Sequence, residues 1–162
     1  LVTFEKELSV IVCRRPQGET VHYPVVESEF HPRANQVEYV LCPARISEQA
    51  AKKAVEVALK TAEAFGQIGL LAVELFLTPE GDILVNEVAP RPHNSGHFSI
   101  EASYTCQFEQ HIRAVLDLPM GKTANKTAAV MVNLVGKEGH TGPVLYKNID
   151  QVLAIEGVIP HI

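Results

Sequence analysis

The stretch Gly69-Leu70-Leu71-Ala72-Val73-Glu74-Leu75-Phe76-Leu77-Thr78-Pro79-Glu80-Gly81-Asp82-Ile83-Leu84-Val85-Asn86-Glu87-Val88 is two strand-forming runs joined by a chain reversal. Residues 78–82 reverse it because Pro79 fixes one φ and Gly81 tolerates the turn conformation. Residues 69–77 and 83–88 are therefore expected as an antiparallel hairpin. If the turn closes symmetrically between Glu80 and Gly81, Glu74 lies directly opposite Glu87, with Cβ atoms about 4.5–5.5 Å apart on one face. A bulge or an odd-length turn would instead offset the register and send the two carboxylates to separate edges.

The neighbours of both acids are largely apolar, so two facing anions repel strongly unless a cation lies between them. Oxygen-only ligation by one or two carboxylates, completed by nucleotide phosphates, is what Mg²⁺ prefers. Directly after Glu87 comes Ala89-Pro90-Arg91-Pro92-His93-Asn94-Ser95-Gly96-His97, which packs a guanidinium, two imidazoles, an amide and a hydroxyl into nine residues. The two prolines restrict the residues before them, so Arg91 is held extended. Its fork suits a carboxylate or phosphate, and His93 can donate or accept a proton near neutral pH.

Outward from the hairpin, residues 8–14 and 20–26 read as two more strands around Pro16-Gln17-Gly18, and 27–36 as a loop. Residues 37–42 form a short strand ended by Pro43. From 47 to about 65 the apolar positions fall at helical spacing, with Ser47 as N-cap and Gly66 as the stop. A helix is expected over 104–116, a strand over 128–135, a Gly/His loop over 136–142 and a short helix over 149–154.

The 162 residues are 46% hydrophobic with a net charge of −5, enough to bury a core and unsuited to a nucleic-acid partner held by phosphate contacts. No apolar run approaches the roughly 20 residues of a membrane span, so no membrane partner and a soluble, cytoplasmic protein are expected. Cys13, Cys42 and Cys106 stand far apart, which suggests neither a zinc site nor a disulfide framework. A strand pattern starting within a few residues of Leu1 reads as a chain cut from something longer.

Four segments carry a family resemblance: Phe4-Glu5-Lys6-Glu7-Leu8-Ser9-Val10-Ile11, Val73-Glu74-Leu75-Phe76, residues 86–97, and Gln107-Phe108-Glu109-Gln110-His111-Ile112-Arg113-Ala114. Together they resemble the ATP-grasp subunits of phosphoribosylaminoimidazole carboxylases, the N5-carboxyaminoimidazole ribonucleotide synthase family. The resemblance implies an α+β fold. Residues 1–121 would be the C-terminal part of an ATP-grasp domain, an antiparallel sheet with packed helices, and 122–162 the start of a small β-rich domain.

It also implies a ligase of purine biosynthesis. ATP phosphorylates bicarbonate to carboxyphosphate, which then carboxylates the amine of aminoimidazole ribonucleotide. Glu74 and Glu87 match the family's Mg²⁺ ligands, and Glu7 matches the acceptor for the ribose hydroxyls of ATP, with Leu1-Val2 at the adenine hinge. Asn86 neighbours the phosphates, as Glu87 does. Arg91 and His93 match the groups near bicarbonate and carboxyphosphate, and Asn94, Ser95, Gly96 and His97 lie where the loop meets the imidazole nucleotide. The resemblance leaves room for a homodimer of the full-length enzyme.

The family's N-terminal nucleotide-like domain, phosphate-binding lysines, Gly-rich flap and a later lysine near bicarbonate have no counterpart in these residues, so the chain is expected to be inactive alone. Two other readings stand beside this one: an ATP-grasp ligase using formate or an amino acid, and a non-catalytic binding remnant.

Overall fold

Among the described residues seven strands share one sheet: β1 (Lys6–Arg14), β2 (Thr20–His22), β3 (Val26–Phe30), β4 (Val37–Cys42), β5 (Gly69–Leu77), β6 (Ile83–Ala89) and β7 (Ala129–Val132). Their order is β6-β5-β1-β3-β4-β7, with β2 on the C-terminal half of β1, and every pairing is antiparallel. The computed structural model describes residues 2–32, 36–136 and 139–162. The expected hinge position of Leu1, and the parts of the 27–36 and 136–142 loops at 33–35 and 137–138, lie outside the described residues.

Alternation along β1 and β5 gives the sheet two unlike faces. Leu8, Val10, Val12, Leu71, Val73, Leu75 and Leu77 point to one side and pack on α1 (Glu48–Phe65) through Ala50, Ala54, Ala58 and Ala62. Alanine at every fourth position lets the helix lie close to the sheet. Ser47 caps the start by accepting from the Ala50 N–H, and Gly66 ends the helix at φ 60°. On the other side Ile11, Cys13, Leu70 and Ala72 are covered by Phe98, by Ala102 of α2 (Ser99–Ala102) and by Ala114 of α3 (Gln107–Val115).

The structure departs from the sequence reading at several points. Residues 20–26 are not one strand, because Pro24 lacks an N–H and breaks the run into β2 and β3. β3 continues to Phe30 through residues expected to be loop. Its acidic Glu27 is nonetheless buried, because Lys6 Nζ donates to it at 2.6 Å and the Arg45 guanidinium grips its carboxylate. The helix expected from 104 starts at Gln107, since the backbone of Ser103, Tyr104 and Thr105 pairs with the segment 122–125. β7, placed by the sequence at the start of a β-rich unit, hydrogen-bonds along β4 and extends the same sheet. The last helix, α4 (Ile149–Leu153), is where it was expected.

The hairpin register holds by an unexpected route. Near the turn Leu77 faces Ile83, Phe76 faces Leu84 and Leu75 faces Val85, one residue out of step with symmetric closure. A one-residue bulge at Asn86 restores the step, so Glu74 faces Glu87. The odd turn and the bulge are both present, and they cancel.

Candidate active site

The face under α2 and α3 changes character halfway along the strands. Ser9 pairs with Glu74 across β1 and β5, Glu7 pairs with Phe76, and Glu87 faces Glu74 from β6. The period of two therefore puts Glu7, Ser9, Glu74 and Glu87 on one side, beyond the end of the covering helices. Burial, then the charges of Glu87 and Glu7, push the Glu74 carboxyl above its ordinary range. Burial also raises Glu7.

The loop after β6 lays a second layer on this patch. Residues Asn94–Gly96 form a 3-10 turn capped by His93, whose Nδ1 accepts from the Ser95 N–H at 3.3 Å. The Ser95 hydroxyl lies 2.9 Å from that nitrogen and 2.9 Å from the buried Ser9 hydroxyl. His93 Nε2 then stands 3.4 Å from Glu74 Oε1. Burial, then the Arg91 charge, hold the His93 ring below its ordinary pKa, which favours the neutral imidazole.

A cavity of about 520 Å³ opens against these groups, and Glu74, Glu87 and Asn94 line it. Its other wall includes Phe30 and Val37 together with Asn133, Leu134, Val135 and Gly136. Asn133 holds that wall in place, donating from Nδ2 to the Val37 carbonyl at 2.7 Å and from its N–H to Glu38. Asn94 Oδ1 is buried and has no hydrogen-bond partner among the described residues, an acceptor that a bound donor would satisfy.

Not every expected residue meets the cavity. Arg91 is exposed, its guanidinium donating to the Pro92 carbonyl at 3.1 Å. His97 is exposed and stacks on Phe108, 5.9 Å between ring centroids, with its pKa lowered by burial and then by His161. Ser95 and Gly96 are buried behind the wall and hold the loop. Asn86 is the exposed extra residue of the bulge. The sequence reading missed Ser9, Gln107 and the wall at 133–136. Ser9 had a signal, the same strand parity as Glu7; a buried glutamine on a helix has none.

Two facing carboxylates form an all-oxygen donor pair whose mutual repulsion a divalent cation would relieve. Among the described residues no group of three or more His, Cys, Asp or Glu side chains is placed to hold a metal. A cation on Glu74 and Glu87 would need further ligands beyond these two carboxylates, which nucleotide phosphates can supply.

This antiparallel sheet, with paired acids on the edge strand β6 and its neighbour β5 and a loop laid over them, is an ATP-grasp architecture. The ATP-grasp domain family matches residues 1–108, and the chain belongs to it. It is 48% identical over 137 residues to the N5-carboxyaminoimidazole ribonucleotide synthase of Bacillus subtilis, covering 85% of this chain and 36% of that protein. The chloroplastic phosphoribosylaminoimidazole carboxylase of Vigna aconitifolia is 44% identical over 161 residues, covering 98% of this chain and 28% of the relative. The chain thus spans about a third of the length of these relatives.

The crystal structure of N5-carboxyaminoimidazole ribonucleotide synthetase from Thermotoga maritima superposes with a TM-score of 0.88 at 50% identity, over 97% of this chain and 41% of that one. The Aspergillus clavatus synthase, solved with ADP and 5-aminoimidazole ribonucleotide, gives 0.80 at 36% identity over 85% and 37%. Among the described residues no helix is long and apolar enough to cross a membrane.

Proposed function

We propose that this chain supplies the catalytic face of an enzyme that uses ATP and bicarbonate to carboxylate 5-aminoimidazole ribonucleotide, giving N5-carboxyaminoimidazole ribonucleotide. The observation that carries the reading is the facing Glu74–Glu87 pair lining one cavity, with His93 Nε2 3.4 Å from Glu74. Glu74 and Glu87 would hold Mg²⁺, which when bound neutralises charge on the transferring phosphoryl group. Glu7 accepts from the ribose hydroxyls of ATP, and Asn86 lies beside its phosphates.

Arg91 swings from its exposed position to fork two N–H groups onto carboxyphosphate, keeping that anion from water until the amine attacks. His93, neutral and aimed at the carboxylates, donates at Nε2 to the same anion. Asn94 Oδ1 takes an N–H of the imidazole nucleotide, with Ser95, Gly96 and His97 completing that side. A cytoplasmic setting and a homodimer of the full-length enzyme belong to the same proposal.

The test is phosphate release by the full-length enzyme containing this chain, with bicarbonate or formate and with or without aminoimidazole ribonucleotide. Turnover should require bicarbonate and yield the carboxylated nucleotide, whereas turnover on formate would sink the reading. The isolated 162 residues should show none, because positioning of the triphosphate supplies much of phosphoryl-transfer catalysis.

A further inference from the structure

Gln107 opens α3 with no exposed surface, and its side chain is spent on one residue of the site loop. Oε1 accepts from the His93 N–H at 2.9 Å, and Nε2 donates to the His93 carbonyl at 2.8 Å. One carboxamide thus satisfies both backbone groups of His93, as a neighbouring strand would. The clamp is itself braced, since the Ser99 hydroxyl accepts from the Gln107 N–H at 2.9 Å and donates to the Gly96 carbonyl. Gly96 is required by space. A Cβ there would sit 2.5 Å from Gln107 Oε1 and 2.7 Å from its Cδ.

The clamp acts on a ring whose two nitrogens have different partners. Nδ1 accepts from the Ser95 N–H, so in the neutral ring the proton sits on Nε2, the nitrogen 3.4 Å from Glu74 Oε1. That arrangement needs the His93 backbone fixed relative to both the 3-10 turn and β5. Gln107 is the side chain that bonds both of its polar groups.

We infer that Gln107 is a positioning residue: by clamping the backbone of His93 it sets the direction and tautomer in which the imidazole presents Nε2–H to the carboxylate pair. The inference rests on the proposed function for its kinetic consequence and on the hydrogen bonds alone for its structural one. A glutamine that only stabilised the fold would alter folding and leave the ring and the coupling of the reaction untouched.

The experiment uses the full-length enzyme with Gln107→Met, which keeps the length and removes both hydrogen bonds, and Gln107→Glu, which keeps the acceptor and loses the donor. Gln107→Met should lower kcat by about 10–100-fold with KM for ATP unchanged, since displacing a reacting group by about 1 Å costs that order. Gln107→Glu should fall between it and wild type, and covers the case in which the Met variant does not fold.

In a His93→Ala background Gln107→Met should cost little more, because the two residues act as one unit. Ring ¹⁵N signals of His93 should show the Nε2–H tautomer in the wild type and a mixture in the variant. An equal loss in both backgrounds, or an unchanged tautomer, overturns the inference. If the wild type does not turn over on bicarbonate, the proposed function fails while the ring signals still decide the clamp.

Discussion

The two faces of the sheet are built from the same strands and obey different rules. Against α1, Leu71, Val73, Leu75 and Leu77 of β5 meet four buried alanines and no polar side chain is needed. On the opposite face the intervening residues run Leu70, Ala72, Glu74, Phe76, apolar beneath α3 and acidic past its end. Along β5, one face can be judged by volume and the other by charge. Both faces bury an apolar cluster, but the one against α1 runs the full length of β5. Chemistry is left to the half-covered side, where Glu74 is partly exposed and its charge is costly enough to attract a cation.

Substitutions break the comparison in graded ways. The largest effect is expected from Glu74→Gln or Glu87→Gln in the full-length enzyme, each keeping volume and removing a charge. ATP cleavage should fall by about 100-fold or more, the order seen when one electrostatic contact to a transition state is lost, with the unfolding midpoint not lowered. Rapid-quench measurement of ADP checks this, and cleavage at the wild-type rate would move the metal site elsewhere.

The mirror experiment is Leu71→Ala on the α1 face, 1% exposed in the core cluster. It should destabilise by about 2–5 kcal/mol in denaturant titration while the ADP-to-product ratio of the folded fraction stays at the wild-type value. A changed ratio would mean the two faces are coupled.

A smaller effect follows from Glu27, buried on the α1 side of β3. Burial alone would raise its carboxyl, but hydrogen bonds from Arg45 and Lys6 override this and hold it at about 2, below its ordinary 4.5. A depressed folded pKa contributes stability that is present above the unfolded pKa. That contribution should be lost as the pH falls from about 4.5 towards about 2. Glu27→Gln should flatten the acid limb of the stability curve over that window, and an unchanged limb would mean the ion pairs contribute nothing.

Much of this was legible in the sequence because the signals are local. The helix caps Ser47 and Gly66 and the Pro-Gly turn each act within a few residues, and the elements beside them fall where expected. Less legible was whatever depends on a distant partner. Glu27 reads as loop until Lys6 and Arg45 are seen to neutralise it, and Tyr104 reads as helix until residues 122–125 pair with its neighbourhood. The Glu74–Glu87 register was expected from a symmetric turn, and the structure reaches it through an asymmetric turn and a bulge. At the site, carboxylates and loop donors announce themselves by residue type. The buried hydroxyls and amides that aim them, Ser9 and Gln107, do not.

We propose that the acidic half of the open face handles the metal and nucleotide while the loop after β6 handles the carboxylating anion. The ratio of ADP released to carboxylated nucleotide formed, at saturating bicarbonate and Mg²⁺, tests it in Arg91→Lys beside Glu87→Gln. Lysine keeps the charge and loses the fork, so ATP cleavage should persist with a ratio above one, whereas Glu87→Gln should lose cleavage itself. A ratio of one at undiminished rate for Arg91→Lys, or wild-type cleavage by Glu87→Gln, would contradict the account.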